Sequence, residues 1–480
     1  MTLIALSFGL VKILTQDELP PLGTNLAPIV ESSTQWPFWN LMKLSRPWTS
    51  VPTGTGLELD SLGNVKSLKP GQTAQTVIYT NGKYPNGTYR LKWEGKGEFE
   101  GGPGSKLVPM SDKSASIEVE GQQGIVLHLV RVDKEDPVRN IELTFPDFDE
   151  DAEQKLFHPI FLQRMSLYRS LRFTDWGAVN NSPVSSWGSR PVPGSATYAS
   201  DLGVPYEVMA SLANEKSTIP WVNVPHKADD DYVRQMAKLF KSSLRPGTKI
   251  CVEYSNECWS PDWAQTAWCQ EQGLAQKLSA DRIEAGLRFY AKRSAEVYGV
   301  FESEFGDTGR VQKVLSVPFD DQKSMETILT HDNVGRKADL LAVATYFGKE
   351  KPTGLLDEVV EKLETEVSGR VRNRMFELGE IASKNRLTLV AYAGGQALTS
   401  SEGDLSKVYD DLNRDPRIAV LLGALLKNWR SAGGVLFMHY NDCAPWTPAG
   451  RWGTLEYQNQ DPQTSYKNRA LIQYALFPDR

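Results

Sequence analysis

The 480-residue sequence predicts an α/β fold, a (β/α)₈ barrel with an inserted all-β, sandwich-like module after the first barrel strand. Eight short apolar segments of strand character alternate with amphipathic segments of helical length, which favours a closed barrel over an open doubly wound sheet. No Gly-x-Gly-x-x-Gly motif follows any of these strands, and this counts against a dinucleotide-binding sheet. After the first strand, alternating runs are separated by Asn-Gly and Gly-Gly dipeptides, which are typical of β-hairpins.

The predicted elements follow in chain order. Residues 1–53 hold an N-terminal segment and the first strand at 23–27, residues 54–148 form the inserted module, and residues 149–480 complete the barrel. The later barrel strands are predicted at 171–176, 219–226, 249–256, 311–317, 340–346, 386–393 and 434–440. The helices around them are predicted at 158–170, 205–217, 229–244, 262–300, 325–330, 355–383, 405–432 and 464–475.

Composition excludes several classes of function. With 23% charged residues of mixed sign and a net charge of −6, the chain carries no electrostatic footprint for nucleic acid or an anionic membrane. The five His residues have no metal-binding spacing, so we expect neither a metal nor a cofactor. The 13 Trp and 17 Tyr include many in Gly-, Pro- and Asn-rich contexts, where exposed rings suit stacking on sugars, although others belong to the core.

The stretch from Cys251 to Trp259 carries the strongest functional signal. Its first residues predict a short buried strand, and Asn256 and Glu257 follow where that strand ends. An amide beside a carboxyl suits general acid catalysis on a glycosidic oxygen, with the Asn holding a neighbouring sugar hydroxyl. The alternative is a strand end whose Glu is only solvated.

In a barrel the functional residues lie at the C-terminal ends of the strands, so the candidates are the residues at those ends. We expect Glu257 to act as the catalytic acid. The predicted substrate-binding residues are Arg172, Asp175, Trp176, Asn223, His226, Asn256, Trp259, Tyr346, Gln396, His439, Trp446 and Trp452. Structural roles stay open for some of them: Asp175 as a helix cap, Trp176 and Trp446 as core residues, and His439 as a buried, hydrogen-bonded histidine.

These strand ends resemble the clan of retaining glycoside hydrolases with a (β/α)₈ barrel. The resemblance rests on Asn256-Glu257 at the end of the fourth strand, Arg172 on the second, Tyr346 on the sixth and Trp on the eighth. It covers the barrel and does not explain the inserted module. It implies that Glu257 is the acid/base, that a Glu at the end of the seventh strand is the nucleophile, and that a carbohydrate is the substrate.

The sequence departs from that pattern at the nucleophile. The seventh strand ends in Tyr392-Ala393-Gly394-Gly395-Gln396, so that Ala393 stands where the clan has Glu. An engineered Glu→Ala change and a natural loss of catalysis both explain this, and the first is favoured because Glu257, Asn256, Arg172 and Tyr346 persist. A chance match at Ala393 is the third explanation, and Glu456 is the carboxyl near the eighth strand that is able to replace the lost one.

The sequence therefore predicts a retaining glycoside hydrolase acting on a polysaccharide or oligosaccharide, inactivated at position 393. The alternatives are a non-catalytic carbohydrate-binding protein and a barrel lyase that uses Tyr and His. A polymer substrate favours an extracellular or periplasmic location. Residues 1–14 are apolar but have no basic start or clear cleavage site, so a trimmed export signal, a tagged mature start and an opening strand all fit them.

Overall fold

The computed structural model describes residues 21–80, 83–120, 124–147 and 155–476, so the apolar segment 1–14 lies outside the described residues. The strands, numbered along the chain, are β1 Leu22–Asn25, β2 Thr49–Val51, β3 Glu58–Leu59, β4 Val65–Ser67, β5 Thr73–Tyr79, β6 Gly87–Glu94, β7 Gly97–Gly101, β8 Lys106–Ser111, β9 Ser114–Val119, β10 Ile125–Val132, β11 Arg139–Thr144, β12 Ser170–Arg172, β13 Ile219–Val224, β14 Ile250–Tyr254, β15 Val311–Ser316, β16 Leu340–Phe347, β17 Thr388–Gln396 and β18 Leu436–His439. The α-helices are α1 Pro159–Met165, α2 Tyr206–Lys216, α3 Asp230–Ser243, α4 Ala264–Ala275, α5 Arg282–Phe305, α6 Gln322–Thr330, α7 Val334–Lys337, α8 Leu356–Glu366, α9 Arg372–Asn385, α10 Gly403–Asn413, α11 Arg417–Ser431 and α12 Tyr466–Leu476.

Eight parallel strands form a closed barrel in the order β1, β12, β13, β14, β15, β16, β17 and β18. The barrel closes because β1 pairs in parallel with both β12 and β18. Helices lie between successive strands, which confirms the predicted (β/α)₈ barrel.

The barrel interior is apolar at one end and polar at the other. An interior cluster includes Trp221, Val314 and Met438, whose strand positions alternate with residues packed against the surrounding helices. Towards the C-terminal ends of the strands the interior positions are instead occupied by charged and amide side chains, among them Arg172 and Glu253. We call these strand ends, with the loops that follow them, the strand-end rim.

Helix α3 shows how local sequence positions these elements. Asp229 caps it by accepting a hydrogen bond from the backbone N–H of Tyr232, and two further aspartates lie in its first turn, where the helix dipole favours negative charge. Its buried residues, spaced three and four apart, are Tyr232, Val233, Met236, Ala237 and Phe240. The amphipathic pattern therefore fixes which face packs on the barrel.

Eight of the ten inserted β-strands form two four-stranded antiparallel sheets, in the orders β2-β5-β10-β7 and β11-β6-β9-β8, and β3 pairs with β4 in a two-stranded sheet. Strand β2 pairs with β5, so the sheets begin at Thr49, ahead of the predicted boundary at residue 54. Aromatic contacts join the sheets to the barrel: the ring of Trp36 lies 5.0 Å from that of Phe145 and 4.6 Å from that of His158.

Three predicted helices are broken in the structure. The segment 262–300 is divided into α4 and α5, and 355–383 contains a π-turn at Val367–Val371 between α8 and α9. Residues 405–432 form α10 and α11, because Pro416 precedes the first turn of α11 and cannot continue the preceding helix. Among the described residues, no helix has the length and apolar character that a bilayer crossing requires.

Candidate active site

A buried ion pair lies beneath the strand-end rim. Arg172, the last residue of β12, donates from Nη2 to Glu253 Oε2 at 2.8 Å, and the two side chains are 4% and 1% exposed. Glu253 Oε2 also accepts from the indole of Trp221 and the amide of Asn223, both at 2.8 Å, and Glu253 Oε1 accepts from Ser316 at 2.5 Å. Burial lowers the pKa of Arg172, but the charge and hydrogen bond of Glu253 outweigh it, so the net direction is upward.

Arg172 connects this network to the Asn-Glu motif. Its Nη2 donates to Asn256 Oδ1 at 3.0 Å and its Nη1 to Asn25 Oδ1 at 3.2 Å, so one guanidinium joins the ends of three strands. The amide nitrogen of Asn256 donates to Asn180 Oδ1 at 3.0 Å, and Gln265 of α4 donates to the same oxygen at 2.7 Å. The orientation of Asn256 is therefore determined from both sides.

Glu257 lies on a turn with an uncommon backbone. Ser255 and Glu257 have φ values of 57° and 44°, in the left-handed region that non-glycine residues rarely adopt. Such conformations cost of order 1–3 kcal/mol each and cluster at functional sites. The turn leaves the Glu257 side chain half-buried at the rim rather than fully solvated.

Two donors hold the carboxyl of Glu257. The hydroxyl of Tyr392 donates to Oε1 at 2.5 Å, and the indole N–H of Trp263 donates to Oε2 at 3.4 Å. Burial, followed by the charge of Glu257, raises the pKa of Tyr392 well above its usual value, so that the hydroxyl keeps its proton. The Arg172 guanidinium lies 4.9 Å from the centre of the Tyr392 ring.

Position 393 faces the barrel interior. The pairing of β16 with β17 shifts after Val343, which pairs with Ala391, to Ala344, which pairs with Ala393, so Tyr392 is an additional residue in β17. Such a bulge lets consecutive residues share one face. Tyr392 and Ala393 both belong to the interior cluster, with Tyr346 and Tyr440 packed against it. A side chain at position 393 therefore points into the rim that Glu257 occupies.

Asp175, Tyr346, Tyr440 and Trp452 form a second part of the rim. Tyr440 donates its hydroxyl proton to Asp175 Oδ2 at 3.0 Å. The Trp452 ring lies edge-on to the rings of Tyr346 and Tyr440, at 5.8 and 5.6 Å. Burial raises the pKa of Asp175, against the opposing effects of the Tyr440 hydrogen bond and the Arg172 charge. Trp452 is half-buried and able to present a ring to a ligand.

Two predicted binding residues face away from the rim. Trp176 is fully buried against Phe38, Phe161 and Phe173, so the prediction that its ring stacks on a substrate is wrong. His439 is also buried. In β18, Leu436 and Met438 point into the barrel, so the residues that alternate with them, Phe437 and His439, point outward. Burial, with the charge of Lys467, lowers the pKa of His439 to about 3, and Thr454 hydrogen-bonds its Nδ1.

Three more predicted binding residues are buried within the protein. Asn223 is buried: its amide nitrogen donates to Glu253 and to the carbonyl of Ser255, and its amide oxygen accepts from the hydroxyl of Thr174, so it supports the rim from below. Gln396 uses both ends of its amide on the backbones of Arg451 and Leu398. His226 is 2% exposed, and within the described part of the chain neither of its ring nitrogens has a hydrogen-bond partner.

The remaining aromatic and acidic candidates make contacts with residues outside the Arg172 and Glu257 network. Trp259 packs edge-on against Tyr290 at 5.8 Å, and Trp446 lies 4.3 Å from the Lys467 ammonium and 4.8 Å from the Arg414 guanidinium. Glu456 pairs with Arg414 at 2.8 Å.

Sequence reasoning missed several residues of this site: Asn180, Glu253, Trp263, Tyr392 and Tyr440. A signal existed for Glu253, because a carboxylate inside an otherwise apolar strand requires partners in the fold. Trp263 and Asn180 lie in loops, where spacing alone predicts no neighbour. Among the described residues, no group of three or more His, Cys, Asp or Glu is arranged to hold a metal ion.

No protein-family model matches this sequence, and no curated protein is similar enough to match it. Among solved structures, a Bacteroidetes-affiliated GH5 cellulase linked with a polysaccharide utilization locus matches with 9% identity and a TM-score of 0.40, covering 65% of this chain and 85% of the cellulase. Fungal β-1,4-galactanases match with 12% identity and a TM-score of 0.34, covering 65% of this chain and 91% of theirs. The β-glucuronidase of Bifidobacterium dentium matches with 9% identity and a TM-score of 0.36, covering 90% and 66%. Matches this distant carry no argument about the chemistry of the site.

Proposed function

We propose that this chain carries the site of a retaining glycoside hydrolase that keeps the acid/base, Glu257, and lacks the nucleophile at position 393. The observation that carries the proposal is the 2.5 Å hydrogen bond from Tyr392 to Glu257, because Tyr392 directly precedes Ala393. A carboxylate at 393 then extends from the strand that already contacts Glu257. Retaining enzymes need carboxyls about 5–5.5 Å apart.

The mechanism applies to a chain with Glu at 393. That carboxylate attacks the anomeric carbon while Glu257 protonates the leaving oxygen, which gives a covalent glycosyl-enzyme. Glu257 then removes a proton from the water that hydrolyses this intermediate, and the anomeric configuration is retained. Arg172 and Tyr346 hold the nucleophile ionised, Asn256 binds a hydroxyl beside the scissile bond, and Trp452 supplies a ring for the sugar.

With Ala393, the chain binds the glycan but has no covalent route. An engineered Glu→Ala change and a natural loss of the nucleophile lead to the same chemistry for this chain. The proposal includes an extracellular or periplasmic location, because polymeric glycans are met there.

The test is restoration of activity by Ala393→Glu. Suitable probes are cellulose, galactan and mannan oligosaccharides and aryl glucuronides, a set that spans neutral and acidic sugars. We expect the variant to release reducing sugar from at least one probe, at least 100-fold faster than the Ala393 chain. The same variant with Glu257→Gln is the control and should lose this release. A folded, ligand-binding Ala393→Glu protein that cleaves nothing contradicts the proposal.

A second candidate is a non-catalytic carbohydrate-binding protein, favoured by the alanine at position 393 itself. Both candidates predict binding by the present chain. Only the first predicts that one added carboxyl restores turnover, so the same experiment separates them.

A further inference from the structure

The inserted module contains an open cleft between its two four-stranded sheets. The cleft has a volume of about 730 Å³, which is within the range of ligand-binding pockets. Its walls come from strands β6 to β10 and the turns between them. Strands β7 and β8 are the outer strands of their sheets and follow each other along the chain, so the cleft opens between two sheet edges.

The floor of the cleft is aromatic and apolar. The rings of Trp93 and Phe99 meet at 62° with their centres 4.8 Å apart, and Leu107, which is half-buried, lines the same cleft. The indole nitrogen of Trp93 is buried and has no hydrogen-bond partner among the described residues, and an unpaired buried donor is unfavourable. The floor therefore offers a surface for apolar C–H groups and one donor that no acceptor of the described chain satisfies.

The mouth of the cleft is polar and nearly neutral. Three basic and four acidic side chains line it, and four of these form ion pairs: Arg131 with Glu98, and Lys96 with Asp133 at 4.0 Å. Because the charges largely cancel, the mouth favours neither a phosphate nor a cation. Carboxylates accept from hydroxyl groups and ammonium groups donate to them, so this mouth suits a neutral ligand with many hydroxyls.

The module lies at the same end of the barrel as the candidate active site. It is inserted between β1 and α1, so the chain leaves the barrel at the strand-end rim, where Asn25 accepts from Arg172, and returns there. Lys43 Nζ donates to the carbonyl of Ser195 at 2.6 Å, and the N–H of Ala196 donates to the carbonyl of Leu62 at 2.8 Å. Ser195 and Ala196 belong to the loop that follows β12, so the inserted segment packs against a loop of the rim.

The cleft adjoins this contact between the module and the rim loop. Glu94, the last residue of β6, borders a smaller pocket together with Gly194 and Ala196 of the rim loop. The next residue, Gly95, lines the cleft. The cleft is therefore placed beside the rim rather than on a remote part of the module.

We propose that this cleft is a second glycan-binding site, which holds a segment of the same neutral polysaccharide that occupies the strand-end rim. The inference rests on the proposed function for its ligand class, but not on residue 393 or on turnover. Two sites on one polymer raise the overall affinity, because binding at the second site becomes intramolecular. A short oligosaccharide gains nothing from this coupling.

The experiment is calorimetric titration of the Ala393 chain with hydroxyethyl cellulose, galactan and mannan, and with the corresponding trisaccharides. Leu107→Arg places a charge in the cleft, and Ser111→Arg obstructs its exposed mouth with less risk to the fold. We expect each variant to weaken binding of one of these polymers at least tenfold. Two trisaccharide sites should become one, which Trp452→Ala then removes.

The matched control is Val108→Arg, at the next residue of β8. Its side chain is 42% exposed and points to the opposite face of the sheet from Leu107, so polymer binding should not change. Circular dichroism and the thermal midpoint establish that each variant is folded.

Unchanged polymer binding in folded Leu107→Arg and Ser111→Arg overturns the inference. If Trp452→Ala weakens binding in the same series, only the cleft assignment fails and the proposed function stands. Loss of polymer binding in the cleft variants, with an Ala393→Glu protein that cleaves nothing, supports the cleft and rejects the proposed function. No binding of any probe by the folded Ala393 chain contradicts both.

A second copy of this chain is the competing occupant of the cleft. Analytical ultracentrifugation of the Ala393 chain tests it, and we expect the same sedimentation for the Ala393 chain and for Leu107→Arg. A dimer that Leu107→Arg dissociates would assign the cleft to the second copy and overturn the inference.

Discussion

Replacing Glu253 by Gln tests whether the buried ion pair supports the rim. The change preserves shape but leaves the Arg172 guanidinium without its counter-charge in a position that is 3% exposed. Removing one partner of a buried pair costs about 3–5 kcal/mol. Arg172 keeps hydrogen bonds to Asn25 and Asn256, and the glutamine oxygen still accepts from Trp221 and Asn223. We therefore expect a loss near the lower end, about 3 kcal/mol in the free energy of unfolding.

The assay is urea unfolding followed by circular dichroism, with midpoints compared at constant m-value. Glu31→Gln is the matched control, because the Glu31–Arg46 pair is 24% and 47% exposed and should contribute less than about 1 kcal/mol. The double variant Glu253→Gln with Arg172→Met should lose less than the sum of the single variants. A Glu253→Gln loss as small as that of Glu31→Gln refutes the coupling between the two buried charges.

Two further predictions concern the predicted binding residues. His226 has a pKa lowered to about 4 from an ordinary 6.5, mainly by burial, so its contribution to stability is complete above pH 6.5 and is lost as pH falls towards 4. His226→Phe should therefore reduce the acid-induced loss of unfolding free energy by about 3 kcal/mol, measured by urea unfolding at pH 7 and pH 4. An unchanged loss contradicts the buried, neutral state. Trp452→Ala should weaken glycan binding about tenfold in calorimetric titration, whereas Trp446→Ala should not, and equal effects contradict the placement of Trp452 in the rim.

The barrel was predictable because the strands and helices differ in length and in the spacing of their apolar residues. Barrel topology then brings the C-terminal ends of all strands to one rim. Arg172, Asn256, Glu257 and Tyr346 gather there for that reason. This part of the prediction required only the order of the elements, not the direction of each side chain.

The direction of individual side chains was the harder problem. Successive side chains of a strand point to opposite faces, so an error of one residue selects the wrong face. His439 was predicted to bind substrate, whereas its neighbour Tyr440 is the residue that faces the rim. The extra residue in β17 is invisible in the sequence, yet it turns both Tyr392 and Ala393 inward. Trp176 follows Asp175 directly, but its ring packs on Phe38, which lies far from it in sequence.

The central claim is that Glu257 works beside an empty nucleophile position at 393. The most direct measurement adds azide to the Ala393 chain with a dinitrophenyl glycoside that the chain binds, and identifies the product by NMR and mass spectrometry. We predict azide-dependent release of dinitrophenol and a glycosyl azide of inverted configuration, because azide occupies the space of the missing carboxylate. The absence of any glycosyl azide at saturating azide would contradict the account.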